Sequence, residues 1–290
     1  LQVLTQSSSF VGALLGQLLP EVDVPLVLVT ATEERARALQ GALELFTRHG
    51  EGHASVDVVW PLEHAPYRGV SPSRAAVMER MATLVRLAMK PPPDVLIVTA
   101  SALLDRVLQR TTLADNTFTL QHGDRVDREA LLSWLIDRGY HAVPIVTDPG
   151  TFAVRGSIID LFCPLYETPI RADFWGDELD TLRRFDPTSQ RTTSEASLPE
   201  IQLCPARDII LTDATLQLGK QRLYALADEL HIPSSRVRRM LSDLDAGVVG
   251  VGLEDLCPAF YEALDTLEAF ISPDAIWLLD QPTEVEDVLA

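Results

Sequence analysis

The sequence predicts an α/β fold in which a parallel sheet is interrupted by a small inserted α+β domain with antiparallel strands. Two continuous apolar runs, residues 25–30 and 94–99, are typical of parallel strands covered on both faces. A helix pattern follows each run, and strands that alternate with helices indicate a parallel layer. Near residue 111 the pattern changes to short strands separated by turn sequences such as 148–150 and 186–188.

Start and stop signals place the other elements. Residues 30–33 form a capping box before a helix at 33–47. Ser71 and Pro72 open a second helix, which three prolines at 91–93 end. Gly139 ends an amphipathic helix at 128–138. The remaining predicted elements are strands at 56–60, 117–120 and 275–279, the last of them buried, and helices beginning at Ser101 and spanning 213–230, 234–244 and 258–269.

This order of elements predicts three segments. Residues 1–112 form the first half of an α/β domain, 113–205 form the inserted α+β domain, and 206–290 return to complete the first. The ends of an insertion of this kind lie close together. Because the chain begins with Leu1 rather than Met, and its last helix pattern ends abruptly, we expect it to be a piece of a longer protein.

Charge and composition exclude several classes of protein. The formal charge of −18 argues against a dominant nucleic-acid surface, because phosphate binding needs clustered Lys and Arg. No apolar run reaches the roughly 18–20 residues of a membrane helix, and no secretory signal is visible, which predicts a cytoplasmic protein without membrane contact. The widely spaced Cys163, Cys204 and Cys257 lack a zinc-site spacing and are expected to be reduced thiols.

No catalytic constellation is visible either. The P-loop pattern is absent, since the nearest segments, 7–12 and 247–252, lack its lysine. His64 has no nearby Cys or second His with which to share a metal ion. No serine lies in a nucleophile elbow, and no carboxylate dyad or triad is apparent. The chain itself is therefore predicted not to be an enzyme and to hold no cofactor or metal.

An alternating segment of the inserted domain predicts a binding face. In the run 170–175 (IRADFW), strand alternation places Arg171, Asp173 and Trp175 on one side. Arg155 takes the equivalent position on the preceding predicted strand. A tryptophan among arginines is typical of a protein-binding hot spot. A purely structural interpretation stays open, in which Trp175 covers its own strand neighbours and Arg171 pairs across the strands.

These residues resemble the UvrA-interacting domain shared by UvrB and the transcription-repair coupling factors (Mfd). The similarity is carried by 153–162 (AVRGSIIDLF), 170–180 (IRADFWGDELD) and 185–191 (FDPTSQR). An upstream block at 60–72 resembles the coupling factors rather than UvrB. UvrB has a working Walker motif and an aromatic-rich DNA hairpin, whereas 68–80 contains no aromatic residue. The resemblance therefore implies a UvrB-like, degenerate P-loop (RecA-like) domain that has lost both features.

In that family the inserted domain is a docking surface for UvrA. The resemblance therefore implies a non-catalytic module that recruits UvrA at the start of nucleotide excision repair. The residues that match the family's binding positions are Arg155, Arg171 and Trp175, with Asp173, Glu178 and Arg183 beside them.

The resemblance also implies partners of the longer protein. Such proteins bind stalled RNA polymerase and double-stranded DNA through other domains, and a separate translocase motor uses ATP and Mg²⁺. A C-terminal domain is expected to mask the docking face in the resting protein. Two alternatives to the docking module remain at this point: a UvrB-like DNA-binding fragment and a cryptic nucleotide-binding fragment.

Overall fold

A computed structural model describes residues 7–47, 54–62, 71–193, 196–245 and 252–290 of the chain. His64 and the glycine-rich segment at 247–251 lie outside these residues. None of the helices described in these ranges is long and apolar enough to cross a membrane. The chain divides into two compact units: unit 1 consists of Leu1–Leu62, Thr83–Arg110 and Asp265–Ala290, and unit 2 consists of Glu63–Ala82 and Thr111–Leu264.

Helices and strands are numbered in chain order within the described residues. Helices α1 to α9 are Ser8–Leu18, Glu33–Thr47, Arg74–Met89, Ala100–Leu104, Arg110–Asp115, Arg128–Asp137, Asp213–Glu229, Ser234–Asp245 and Pro282–Leu289. Strands β1 to β13 are Leu26–Thr30, Val56–Val59, Val95–Thr99, Arg106–Val107, Phe118–Gln121, His141–Ala142, Thr151–Arg155, Ile158–Phe162, Ile170–Trp175, Glu178–Arg184, Glu200–Leu203, Asp265–Thr266 and Ile276–Leu279. Short 3-10 helices occupy Leu19–Glu21, Glu254–Ala259 and Leu267–Phe270.

Unit 1 is built on a four-stranded parallel sheet in the order β13-β1-β3-β2. β1 and β3 are buried along their whole length and pair from Leu26 opposite Val95 to Thr30 opposite Thr99. A strand covered on both faces has no side left for polar residues, which explains its continuous apolar sequence. The parallel α/β layer predicted from the two apolar runs is confirmed.

The edge strand β13 differs in part from its prediction. It pairs with β1 in parallel and so joins the first sheet, as the sequence predicts. However, Ile276, Trp277 and Leu279 are 43%, 42% and 50% exposed, whereas the sequence predicts a buried strand. β13 lies at the end of the sheet order with β1 as its neighbour, and an apolar run does not distinguish an edge strand from a central one.

The residues after 205 divide between the two units. The sequence assigns all of 206–290 to the first sheet, but 206–264 pack within unit 2. The helix predicted at 258–269 is also wrong, because Asp265 and Thr266 pair as β12 with Val107 and Arg106 of β4. Long-range strand pairing here outweighs local helical periodicity. The division into domains at 112 and 205 stays a prediction.

Unit 2 contains a five-stranded sheet in the order β10-β9-β8-β7-β6. Its pairs are antiparallel except for β6 beside β7. The two faces of this sheet differ in character. One face is largely apolar, and its buried side chains include Phe152, Leu161, Ala172, Phe174 and Leu182.

The opposite face has a buried patch and a polar region. The buried patch is a cluster of Val146, Ala153, Phe162 and Phe185. Residues nearer the 156–157 and 176–177 loops on this face are at least partly exposed. The small cluster therefore anchors one end of the face and leaves the other end open to solvent.

Two tight turns at one end of this sheet position the candidate site. The loop 156–157 joins β7 to β8, and the loop 176–177 joins β9 to β10. Gly156 and Gly176 have φ of 61° and 65°, in the left-handed region that glycine adopts without steric cost. Glycine at the first loop position matches a type II′ hairpin turn. Because β7 and β9 run in the same direction, both turns lie at the same end of the sheet.

Candidate protein-docking face

The strand register brings the predicted site residues to one side of the sheet. Arg155 lies opposite Ile158, which lies opposite Asp173 on β9. Arg171 lies opposite Arg183 on β10. Directly opposed residues share a face of the sheet. The arginine–tryptophan face is defined as Arg155, Arg171, Asp173, Trp175, Glu178 and Arg183.

The Trp175 side chain of this face is open to solvent. It is 85% exposed and directly precedes the turn at Gly176. An indole that covered its own strand neighbours would lose much more of its accessible surface. The structural interpretation of Trp175 is therefore wrong. A large, rigid aromatic ring held out on a hairpin turn has the character of an anchor for a partner's pocket.

Arg171, by contrast, is held by its own domain. Its Nε and Nη2 donate to the two carboxylate oxygens of Asp160 at 2.7 and 2.9 Å. These hydrogen bonds raise the pKa of Arg171 above its usual value. The guanidinium carbon also lies 4.7 Å from the ring centre of Phe185. The Asp160 side chain is fully buried, and 22% of the Arg171 side chain is exposed. The structural interpretation, pairing across the strands, is correct for Arg171.

Hydrogen bonds within the domain also hold two other members of the face, Arg155 and Asp173. Arg155 is exposed, and its Nη2 donates to the carbonyl of Pro144 at 3.0 Å. Asp173 is half-buried and accepts a hydrogen bond from the Ser157 hydroxyl at 2.9 Å. These contacts orient the polar groups next to Trp175 without burying them.

The β10 members complete the arginine–tryptophan face. Glu178 is exposed and lies opposite Trp175. Arg183 is half-buried, and its Nε has no hydrogen-bond partner among the described residues. The face therefore mixes guanidinium and carboxylate groups around one indole. This composition suits a protein partner better than a uniformly charged ligand.

The spacing within the face is that of a compact contact patch. Arg155 lies on β7 and Trp175 lies on β9, two strands away. The β9 residue aligned with Arg155 is Asp173, which is two residues before Trp175. With strands about 4.8 Å apart and a rise of about 3.4 Å per residue, the two positions are about 12 Å from each other. A partner of ordinary interface size covers both at once.

An open groove adjoins the two turns. The Arg128 side chain of α6 donates from Nη2 to the carbonyl of Gly156 at 2.6 Å and lies 5.5 Å from the ring centre of Phe174. It therefore links α6 to both hairpins and limits their independent movement. The residues that line the groove are Arg125, Val126, Asp127, Arg128, Glu129, Leu132 and Asp177.

Two features of this unit were not predicted from the sequence. One is the Asp160 partner of Arg171; its only signal is a single acid within the apolar run 158–162. The other is the approach of Cys163 to Cys204, whose buried sulfur atoms lie 3.7 Å apart and are not joined by a disulfide. Their separation by 41 positions hides this contact. Within the described ranges, no three His, Cys, Asp or Glu side chains are grouped to hold a metal ion.

Comparison with known proteins identifies the family. Residues 118–208 match the UvrB interaction domain. Over 279 residues, 93% of its length, the chain is 37% identical to the transcription-repair-coupling factor of Myxococcus xanthus. The chain belongs to the transcription-repair-coupling factor family. It is also 30% identical, over 82% of its length, to the factors of Escherichia coli (strain K12) and Mycobacterium bovis.

This member spans only part of its relatives. It covers 23% of the Myxococcus xanthus factor and 20% of the Escherichia coli factor. The whole arginine–tryptophan face lies inside the matched UvrB interaction domain. The mixed α/β architecture, with a parallel sheet and a separate antiparallel sheet, is consistent with UvrB-like domains.

Proposed function

We propose that this chain is a non-catalytic module through which a transcription-repair-coupling factor docks onto UvrA. The observation that carries the proposal is the exposed Trp175 on the same face as Arg155, on a sheet within the UvrB interaction domain. In the longer protein, this docking recruits UvrA to stalled RNA polymerase, and the ATP-driven motor lies in other domains. DNA repair by nucleotide excision is then the process that the module serves.

Trp175 supplies most of the binding free energy in this proposal. A tryptophan side chain buries about 150–250 Å². At about 25 cal/mol per Å², this gives about 4–6 kcal/mol before the costs of association. The hairpin and its turn glycine fix the backbone of Trp175 before binding, so little backbone entropy is lost on docking. The partner is expected to offer an apolar pocket near its surface.

Arg155 supplies direction and specificity. Its guanidinium group is exposed and presents donors in a planar fork that fits a carboxylate with two hydrogen bonds. We therefore expect acidic side chains of UvrA beside the pocket for Trp175. Arg171 is a positioning residue, because its pair with Asp160 keeps β8 and β9 aligned under the indole.

Replacing Arg155 by glutamate tests the proposal. The Kd for UvrA is expected to rise by about 30-fold or more, as for a hot-spot loss of about 2 kcal/mol. The association rate should also fall, and its dependence on salt should weaken or reverse, because the steering charge changes sign. Surface plasmon resonance at two salt concentrations measures both quantities.

The matched control for this experiment is Arg238→Glu. Arg238 is also exposed in unit 2, on α8, so this variant carries the same charge change away from the arginine–tryptophan face. We expect it to bind UvrA as the unchanged chain does. If Arg155→Glu and Arg238→Glu behave alike while both are folded, UvrA does not use this face.

A further inference from the structure

Unit 2 contains a cavity that shares no residue with the arginine–tryptophan face. Its volume is about 220 Å³, and four segments of unit 2 line it, at 71–77, 139–141, 206–209 and 253–254. Small-molecule sites are typically cavities with an apolar lining and a few polar groups. The buried apolar residues of this lining are Pro72, Val77, Ala206, Ile209 and Leu253.

Arg74 contributes one guanidinium group to this lining. Its Nη2 donates to the carbonyl groups of Gly139 and Gly150 at 3.0 and 2.6 Å. Its Nη1 lies 2.9 Å from Nδ1 of His141, and because arginine only donates, this nitrogen accepts. A Cβ added at Gly150 would come 2.8 Å from Nη2, so glycine there makes room for the guanidinium group. Within the described residues, Nε of Arg74 has no acceptor.

Arg207 contributes a second guanidinium group. Its Cγ and Cδ would lie 2.6 and 2.8 Å from a Cβ added at Gly139, so its stem packs against this glycine. Its Nη2 donates to the carbonyl group of Asp137 at 2.9 Å. Its Nε is buried and, like its Nη1, has no acceptor in the part of the chain that the structure describes. Both guanidinium groups are therefore fixed around Gly139, with hydrogen-bond donors left over.

These two charges are buried without a close counter-ion. No ion pair joins either of them to a carboxylate among the residues that the structure describes. Burial lowers the pKa of Arg74, in spite of the charge of Asp148. Burial also lowers the pKa of Arg207 to about 10, and the charge of Arg74 lowers it further. Because a desolvated charge is costly without a partner, a bound anion would stabilise this arrangement.

The acidic side chains of the lining, Glu254 and Asp208, restrict the anion. Glu254 accepts a hydrogen bond from the Ser71 hydroxyl at 2.7 Å, and Asp208 also interacts within the chain. The groups that still lack a partner are therefore the arginine donors. The two acids repel a second negative charge, which favours a singly charged ligand over a doubly charged phosphate.

We propose that this cavity binds the carboxylate group of a small acid with an apolar body. A guanidinium group donates to both oxygens of a carboxylate in one plane. The unused donors of Arg74 and Arg207 hold this group, and the apolar lining around Val77 and Ile209 covers the hydrocarbon part. Pockets for drug-sized ligands begin at about 300 Å³, so this smaller cavity suits an acid of a few carbons.

An NMR titration of the isotope-labelled 290-residue chain at constant ionic strength tests the proposal. Butanoate should produce saturable shifts of the Nε–H signals of Arg74 and Arg207 and of the backbone amides at 139–141 and 206–209. It should bind about tenfold more tightly than acetate, because it buries two more CH₂ groups. Inorganic phosphate should bind more weakly than butanoate. Butylammonium, with the same body and the opposite charge, should not bind.

A charge-removing variant locates the site. Arg207→Gln should weaken butanoate binding at least tenfold, because the amide keeps a donor but carries no charge. The matched control Arg238→Gln removes the charge of an exposed arginine on α8 and should bind normally. Melting temperatures report whether each variant is folded. If Arg207→Gln does not fold, the comparison of ligands on the unchanged chain decides alone.

Four results on the unchanged chain would overturn the proposal. They are absence of a saturable shift with butanoate, equal affinity for acetate and butanoate, phosphate binding as tight as butanoate binding, and butylammonium binding at the same residues. Equal weakening in folded Arg207→Gln and Arg238→Gln would overturn it as well. Trp175→Ala should bind butanoate normally, so this proposal and UvrA docking fail or hold separately.

Discussion

Replacing Trp175 by alanine is expected to raise the Kd for UvrA by at least 30-fold without lowering the stability of the chain. The side chain is 85% exposed, so its removal costs little within the domain. In the complex the same ring fills a partner pocket, and loss of a central aromatic anchor costs about 2 kcal/mol or more. Titration calorimetry of the chain with UvrA measures the change.

Two further variants make this result specific. Trp277→Ala removes the same type of side chain from β13 of unit 1 and should leave UvrA affinity unchanged. Trp175→Phe keeps an aromatic ring and should retain most of the affinity. Unchanged affinity of a folded Trp175→Ala chain would remove the anchor from the proposal.

Replacing Arg171 by alanine is expected to lower the free energy of unfolding by about 3 kcal/mol. The substitution leaves the fully buried carboxylate of Asp160 without its two charge-assisted hydrogen bonds. It also removes the guanidinium group from the ring of Phe185. Chemical denaturation followed by circular dichroism measures the loss.

A double-mutant comparison identifies the buried charge as the cause. Asp160→Asn/Arg171→Ala should be more stable than Arg171→Ala, because no charge is then left buried. Arg183→Ala, at the position opposite Arg171 on β10, serves as the matched control and should cost much less. An Arg171→Ala chain as stable as the unchanged one would mean that the Asp160 pair does not hold the sheet together.

The expected loss of stability in Arg171→Ala affects how its UvrA-binding data are interpreted. A loss of UvrA affinity on substitution of Arg171 arises in part from a loosened sheet under Trp175. Arg155 and Trp175 do not carry this complication, because both side chains are exposed. They are the better positions at which to test docking itself.

Much of the fold follows from local patterns in the sequence. The apolar runs of β1 and β3 predict central parallel strands. A strand that is covered on both faces has no solvent-facing position for a polar side chain, so its sequence is apolar throughout. The alternation in 170–175 predicts the sides of β9 correctly, because a period of two allows only two faces.

What the sequence did not predict depends on long-range contacts. The edge position of β13 is set by its neighbours in the sheet and not by its own residues. The pairing of β12 with β4 joins segments more than 150 residues apart, and it replaces a helix that local periodicity favours. The residues next to Arg171 in the sequence do not indicate that its guanidinium group pairs with the carboxylate of Asp160, eleven residues earlier.

The most direct test of the central claim is hydrogen–deuterium exchange of the chain with and without UvrA. The docking proposal predicts slower exchange on addition of UvrA at the turns after Arg155 and Trp175. It predicts no change in β1 and β3 of unit 1. Protection confined to unit 1, with the two turns exchanging as in the free chain, would contradict the proposal.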